Sequence, residues 1–244
     1  MQKSGIYSGP GRRLSLSASI RKRQDEGRFP LISEIKVRSE KEGDLLRGRD
    51  PVRLAQEMAE RPLAGISVVT EPAHFGGHMG LLGAVAAAVD VPVLHKDFIT
   101  TERQIRESAA GGASAVLLIA AMVAGKNMVP LIEEAKRQGL EVLVEAHSWA
   151  EAKMVEHLPF DLMGINNRDI TIFEVDDGDV GMTEELARFC KGRLLISESS
   201  IRSAEDIRRA GKSGADAALV GTAVLKAARP GEVLDELISV GWPV

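Results

Sequence analysis

Residues 91–120 read VPVLHKDFITTERQIRESAAGGASAVLLIA and contain one complete strand–helix–strand unit. The first apolar run ends at Lys96, and the second, SAVLLIA, begins at Ser114. Between them, residues 101–111 mix polar and apolar side chains like a surface helix and end in glycine, a residue that commonly stops helices. A strand, a helix and a second strand in this order favour two parallel strands in one sheet.

The same alternation continues along the whole chain. Apolar runs begin near residues 31, 64, 92, 114, 141, 161, 193 and 216. Helix-like stretches separate them, at residues 51–61, 78–89, 101–111, 126–138, 148–157, 183–190 and 203–210, with a split last segment at 222–228 and 231–240. No glycine-rich nucleotide-binding loop accompanies these strands.

Eight strand–helix units in 244 residues favour a closed barrel, a fold of about 250 residues, over an open sheet. We therefore predict an α/β protein, a (β/α)8 TIM barrel with a short extra N-terminal helix. Residues 1–28 are expected to form a tail and that helix, with the helix at residues 14–27. Residues 29–244 are expected to form a single barrel domain.

The composition argues against several classes of function. A net charge of -4 and a pI near 5.8 are not those of a nucleic-acid binder. The single cysteine, Cys190, excludes an intramolecular disulfide and a multi-cysteine metal site. Without a signal peptide or an apolar run long enough to cross a bilayer, we expect a cytoplasmic protein with no membrane partner. A monomer is expected rather than an obligate oligomer.

Charged side chains lie at the ends of five of the predicted strands, at Glu34 and Lys36, Glu71, Lys96, Glu145 and Glu198. Glu34 and Lys36 are two residues apart, so they point to the same side of their strand. Lys96 could be a general acid, because burial or nearby cations lower the pKa of a lysine, or it could be a surface residue. Glu145 could be a general base, or it could cap the helix that begins near Ser148. The carboxyl ends of barrel strands gather at one face, which is where barrel enzymes carry their active sites.

Polar residues also follow the later strands. Asn166 could orient substrate hydroxyls, and Arg168 could bind a carboxylate or phosphate through two hydrogen bonds, although the two consecutive asparagines would also suit a turn. The ends of the seventh and eighth strands are where barrels commonly bind phosphate through backbone N–H groups. The residues at these two ends are Glu198, Ser199, Ser200, Gly221 and Thr222.

The histidines do not suggest a metal centre. His74 and His78 are separated by a loop containing two glycines, and no third ligand is evident, so we predict no metal. His95 is expected to point into the packing beside Lys96. His147 and His157 are expected on helix surfaces.

Seven segments of the chain carry a resemblance to a known family: LISEIKVRSEKEGDLL, ISVVTEPAHFGG, VPVLHKDFI, VLVEAH, GINNRDI, LISESSI and ALVGTAVL. From about residue 29 to residue 240 the chain resembles the indole-3-glycerol phosphate synthases, and its KDFI and INNRD segments are specific to them among phosphate-binding barrels. The resemblance implies a lyase without a cofactor. Its expected reaction is the decarboxylating and dehydrating ring closure of 1-(2-carboxyphenylamino)-1-deoxyribulose 5-phosphate, a phosphosugar, in tryptophan biosynthesis.

The resemblance also implies a role for each matching residue. Lys96 is the implied general acid and Glu145 the implied general base, while Glu34 and Lys36 are implied to position substrate and transfer protons. The other implied contacts are Asn166 and Glu198 with the ribulose hydroxyls, Phe75 and Phe98 with the anthranilate ring, and Ser39, Arg168, Ser199, Ser200, Gly221 and Thr222 with the phosphate or the rest of the site.

Two departures from the family pattern and two other readings accompany this resemblance. Glu40 and Lys41 replace part of a Ser-Pro-Ser loop, and Ser200 replaces a glycine, changes that bear on substrate affinity rather than on reaction type. Two other functions are also considered. A phosphoribosylanthranilate isomerase would rely on a strand-end cysteine, but Cys190 precedes the seventh strand, which argues against that function. A phosphate-binding barrel without catalysis would need neither the proposed acid nor the proposed base.

Overall fold

Eight parallel strands close into a barrel in the computed structural model, which describes residues 14–123, 127–168, 178–190 and 192–244. The first barrel strand pairs with both the second and the last, which closes the sheet. The predicted (β/α)8 barrel is therefore confirmed. The barrel strands are β1 (Leu31–Ile35), β4 (Gly65–Val69), β5 (Val93–Lys96), β6 (Ala115–Ile119), β7 (Glu141–Ala146), β8 (Leu162–Asn166), β9 (Leu194–Glu198) and β10 (Ala217–Val220).

Helices follow the strands around the outside of the barrel. Capping residues in the sequence mark where several of these helices begin. Asp50 caps a helix that has proline at its first position, and Thr101 forms a capping box with Gln104. The helices are α1 (Leu16–Asp25), α2 (Pro51–Ala59), α3 (Pro72–Phe75), α4 (Met79–Ala88), α5 (Glu102–Ala110), α6 (Met128–Arg137), α7 (Trp149–Val155), α8 (Gly181–Leu186), α9 (Ala204–Lys212), α10 (Thr222–Lys226) and α11 (Pro230–Ile238). Among the described residues, no helix is both long and apolar enough to cross a bilayer.

The structure adds local elements that the sequence does not predict. Two short antiparallel strands, β2 (Arg38–Ser39) and β3 (Gly43–Asp44), form in the loop after β1. The helix predicted at residues 183–190 begins earlier and ends in a 3-10 turn at Ala187–Phe189. Helix α3 is capped by Glu71, whose carboxylate accepts three of its backbone N–H groups. The tail at residues 1–13 lies outside the described residues.

Side-chain alternation divides the core into two layers. On β6, Leu117 and Ile119 face the barrel interior, whereas Val116 and Leu118 pack against the surrounding helices. The interior layer also contains Leu16 and Ile20 of α1, the predicted N-terminal helix, which therefore packs against the barrel interior. Helix α1 is held there by Glu141 at the start of β7, which accepts the backbone N–H groups of Leu16 and Ser17.

The same alternation brings the polar strand ends together. Interior side chains are followed two residues later by Glu34 on β1, Lys96 on β5 and Glu145 on β7. Because successive side chains of a strand point to opposite faces, a residue two positions after an interior residue also points inward. The eight barrel strands are all parallel, so these charged groups meet at one end of the barrel.

Candidate active site

A cavity of about 800 Å³ opens at the carboxyl ends of the strands. Its wall includes every predicted site residue except Glu198, which is fully buried beneath it. Cys190 is half-buried and is not part of the wall, so the cysteine that the isomerase reading requires does not face this cavity. The described residues contain no group of three or more His, Cys, Asp or Glu side chains arranged to hold a metal ion.

Lys96 lies at the centre of the charged groups. Its Nζ is 3.1 Å from Oε2 of Glu145 and 2.5 Å from Oε2 of Glu198. Burial alone would lower the pKa of Lys96, but the carboxylates of Glu145, Glu198 and Glu34 outweigh it and raise the pKa above its usual value. The lowered lysine pKa considered from the sequence is therefore wrong, because opposite charges surround this lysine.

The two carboxylates beside Lys96 have different environments. Burial would raise the pKa of Glu145, but Lys96 and a second cation, His147, hold it well below its usual range. For Glu198, burial and the nearby charge of Glu145 raise the pKa despite the attraction of Lys96. Glu145 is thus the group held as an anion, and Glu198 is the group that more readily holds a proton.

Glu34 and Lys36 form a second buried pair. Nζ of Lys36 lies 3.0 Å from Oε1 of Glu34. Their two-residue spacing on one strand predicts that the two side chains point to the same side. Burial would raise the pKa of Glu34, but Lys36 and Lys96 lower it below its usual value. Both residues line the cavity as well as pairing with each other.

Two glycines make room for these carboxylates. A Cβ atom at Gly164 would lie 2.2 Å from Oε1 of Glu198, and one at Gly221 would lie 2.5 Å from Oε1 of Glu34. A side chain at either position would therefore push the neighbouring carboxylate out of its observed place. The sequence indicates Gly221 only as a phosphate or turn glycine and does not indicate Gly164, because the need arises from neighbouring strands.

An aromatic wall forms one side of the cavity. The rings of Phe75 and Phe98 meet edge to face with centroids 6.4 Å apart. His74, which the sequence does not include in the site, lies 6.5 Å from Phe98 and is paired with Glu40 at 2.7 Å. Lys36 places its Nζ 5.8 Å from the centroid of the Phe75 ring. A planar anionic ring would find both apolar surface and positive charge here.

Another part of the cavity wall contains the residues predicted to bind phosphate. Ser199 and Ser200 have φ angles of 66° and 59°, in the left-handed region that favours glycine. Asn167 supports this corner, since its side-chain Nδ2 donates to the backbone oxygens of Glu198 and Ser199. Thr222 begins α10 directly after Gly221, and both line the cavity.

Three further predicted residues make local contacts at the cavity wall. Asn166 donates from Nδ2 to Oε1 of Glu145 over 3.2 Å, and its own Oδ1 accepts the backbone N–H of Arg168. The hydrogen bond from Asn166 therefore holds the carboxylate of Glu145 in place. Ser39 accepts the backbone N–H of Glu42, so its hydroxyl stabilises the loop after β1.

Of the two histidines beside the site, one lies where the sequence predicts and the other does not. His95 is buried as predicted, with its ring nitrogens 2.6 Å from hydroxyl oxygens of Thr70 and Ser108. His147 is only 6% exposed, so its predicted position on a helix surface is wrong. Its Nε2 lies 3.0 Å from Oε1 of Glu145. The VLVEAH segment places this histidine just past the strand but does not show that its ring turns inward.

The fold and this site define a TIM-barrel enzyme whose cavity combines acid–base groups, an aromatic wall and a polar end suited to phosphate. The family model for indole-3-glycerol phosphate synthase matches residues 7–237, and the chain belongs to that family. The family consists of decarboxylating lyases that act on a small phosphosugar-type substrate in tryptophan biosynthesis.

Individual relatives agree with this assignment. The chain is 44% identical over 225 residues to the indole-3-glycerol phosphate synthase of Pyrococcus furiosus, covering 91% of this chain and 96% of the relative. It is 41% identical to that of Thermococcus kodakarensis, covering 92% and 97%. It is 38% identical to that of Carboxydothermus hydrogenoformans, covering 93% and 85%.

Proposed function

We propose that this barrel converts 1-(2-carboxyphenylamino)-1-deoxyribulose 5-phosphate to indole-3-glycerol phosphate, carbon dioxide and water. The observation that carries the proposal is the buried ammonium of Lys96 between Glu145 and Glu198, at the base of a cavity with an aromatic wall. An acid and a base held within one cavity suit a reaction that first activates a ketone and then removes water.

Ring closure is assigned to Lys96. The ring carbon that bears the carboxylate attacks the ketone carbon of the ribulose chain, and negative charge develops on the ketone oxygen. Lys96 is the proposed donor to this oxygen, and its raised pKa keeps it protonated until that charge develops. The ribulose hydroxyls are assigned to Asn166, whereas Glu198, buried beneath the wall, is assigned to holding the ammonium of Lys96.

Loss of carbon dioxide is assigned to the region of the aromatic wall. With the anthranilate ring between Phe75 and Phe98, the nearby ammonium of Lys36 would balance the carboxylate until its carbon–carbon bond breaks. The electrons of that bond then return to the ring system. Glu34, paired with Lys36 at 3.0 Å, would hold this ammonium in position.

Dehydration is assigned to Glu145. Glu145 accepts the proton that leaves as the indole double bond forms, while Lys96 or Lys36 protonates the departing hydroxyl so that it leaves as water. The lowered pKa of Glu145 keeps it ionised and able to accept a proton at neutral pH. The phosphate is assigned to Ser199, Ser200, Gly221 and Thr222 as its contacts, with Ser39 and Arg168 in the same cavity wall.

The experiment follows indole fluorescence after adding the substrate to purified protein. We expect product from the wild type and a decrease in turnover of about 10²- to 10⁴-fold in Lys96→Met. Lys22→Met, which changes an exposed lysine of α1 far from the cavity, is the matched control and should keep full activity. Circular dichroism would establish that both variants are folded. A folded wild type that makes no product would refute the function, and an active Lys96→Met would refute the role of Lys96.

We further propose a monomeric cytoplasmic enzyme whose catalytic domain is residues 29–244. All the assigned residues come from one chain, which supports a site that needs no second copy. Light scattering at the protein concentration of the assay would test this, and a stable dimer as the active species would contradict it.

A further inference from the structure

His147 joins the proposed base to a carboxylate outside the cavity. It follows β7 directly, and its side chain is 4% exposed. Nε2 lies 3.0 Å from Oε1 of Glu145, and Nδ1 lies 3.3 Å from Oε2 of Glu151. The backbone N–H of His147 donates to the same oxygen of Glu151 over 2.9 Å. The first turn of α7 therefore fixes Glu151 behind the imidazole ring.

The surroundings of the ring favour its charged form. Burial lowers the pKa of His147, but Glu145 and Glu151 outweigh burial and raise the pKa to about 9. The other charged groups that act on Glu145 come from different strands, namely Lys96 on β5 and Glu198 on β9. Only His147 and Lys96 among these groups supply positive charge directly to Glu145.

These two cations differ in the proposed reaction. Lys96 donates its proton during ring closure and, until it takes up a proton again, no longer carries the charge that holds Glu145 ionised. His147 is on the other side of the carboxylate, touching Oε1 while Lys96 touches Oε2. It takes no part in the bond changes, so its charge persists through the step in which Lys96 is neutral.

We propose that His147 is a positioning residue: its buried imidazolium, itself held by Glu151, keeps the carboxylate of Glu145 anionic through the charge contact at Oε1. The proposal rests on the proposed function, because it assumes that Glu145 is the base. It adds a charged partner of Glu145 that is outside the set of residues assigned above. Glu151 acts one step further away, through His147 alone.

Steady-state kinetics over a range of pH test this role. His147→Gln keeps a polar side chain but no charge, and we expect kcat to fall about 10- to 100-fold while KM changes less than about threefold. Wild-type kcat should decline as pH rises through about 9, because the imidazole then loses its proton. That alkaline decline should be absent in His147→Gln. In Glu151→Gln it should move to lower pH, because one of the carboxylates that raise the pKa has been removed.

His157→Gln, at an exposed histidine, is the matched control and should keep the wild-type profile. A loss of packing alone would lower the folded fraction without displacing the alkaline decline. Unchanged kcat in folded His147→Gln, or the same alkaline decline in that variant and the wild type, would overturn the positioning role.

An NMR titration of the imidazole signals separates this proposal from the function. The signal missing from His147→Gln should titrate near pH 9 in the wild type and at lower pH in Glu151→Gln, whether or not the protein makes indole product. A ring that titrates near its ordinary value of about 6.5 would refute the buried cation. Wild-type protein that makes no product would instead refute the proposed function.

Discussion

Strand β7 presents a glutamate at each end of the barrel, and the two have different surroundings. Glu141, at the start of the strand, accepts hydrogen bonds from the backbone and hydroxyl groups that begin α1. Glu145, at the other end, faces Lys96, His147 and Asn166, and two of these partners can carry or release a proton. Fixed backbone donors make the first carboxylate structural, whereas titratable partners suit the second to acid–base chemistry. The comparison predicts that stability and activity separate along a single strand.

The largest expected effect is that of Glu145→Gln. The amide keeps nearly the same shape but cannot accept a proton as a base, so kcat should fall about 10²- to 10⁴-fold. KM should change much less, because Lys96 and Asn166 still shape the site. Initial rates of indole formation at several substrate concentrations would measure both constants. If KM alone changed, Glu145 would be a binding residue, and the proposed contrast between a structural Glu141 and a catalytic Glu145 would be wrong.

The next effect is that of Ile20→Ala at the other end of the barrel. Ile20 is fully buried in the interior layer, and truncating such a side chain typically destabilises a protein by about 2–5 kcal/mol. Urea denaturation should show this loss of stability, while kcat per folded molecule stays at the wild-type value. A large loss of kcat in fully folded protein would mean that the two ends of the barrel are coupled.

These separate ends also explain how far the sequence predicts the molecule. Strand alternation is a local property, so the sequence alone is enough to place Glu34, Lys96 and Glu145 at one end of a barrel. The inward turn of His147 and the space that Gly164 leaves for Glu198 depend on contacts between different elements. No local pattern contains those contacts. The roles of the site residues stay predictions that the kinetic experiments test.

A smaller effect is expected for Glu141→Gln, the direct counterpart of Glu145→Gln. Losing the charge weakens the hydrogen bonds to the start of α1 and the favourable interaction with the positive end of that helix. We expect a loss of about 1–2 kcal/mol in unfolding free energy, comparable to the loss of a helix cap, with kcat unchanged. Thermal and urea unfolding of the two glutamine variants, measured together with their rates, would compare the two ends of one strand. Equal losses of activity in both variants would contradict the division of roles.

The smallest effect is expected for Ser200→Gly. This change alters stability at the catalytic end of the barrel, so it tests how completely stability and activity are divided between the two ends. Ser200 has a φ angle of 59°, and a left-handed conformation costs a residue with a side chain roughly 1–2 kcal/mol. Glycine removes that penalty but loses about 0.5–1 kcal/mol more through its freedom in the unfolded chain, so the net gain should be about 0–1.5 kcal/mol. The backbone at this corner could also approach phosphate more closely without the side chain, so KM should fall while kcat stays constant. Urea denaturation and steady-state kinetics would measure the two consequences separately. A less stable variant would mean that contacts of the Ser200 side chain outweigh the backbone strain, and the corner would then belong with Glu141 among the structural parts of the barrel.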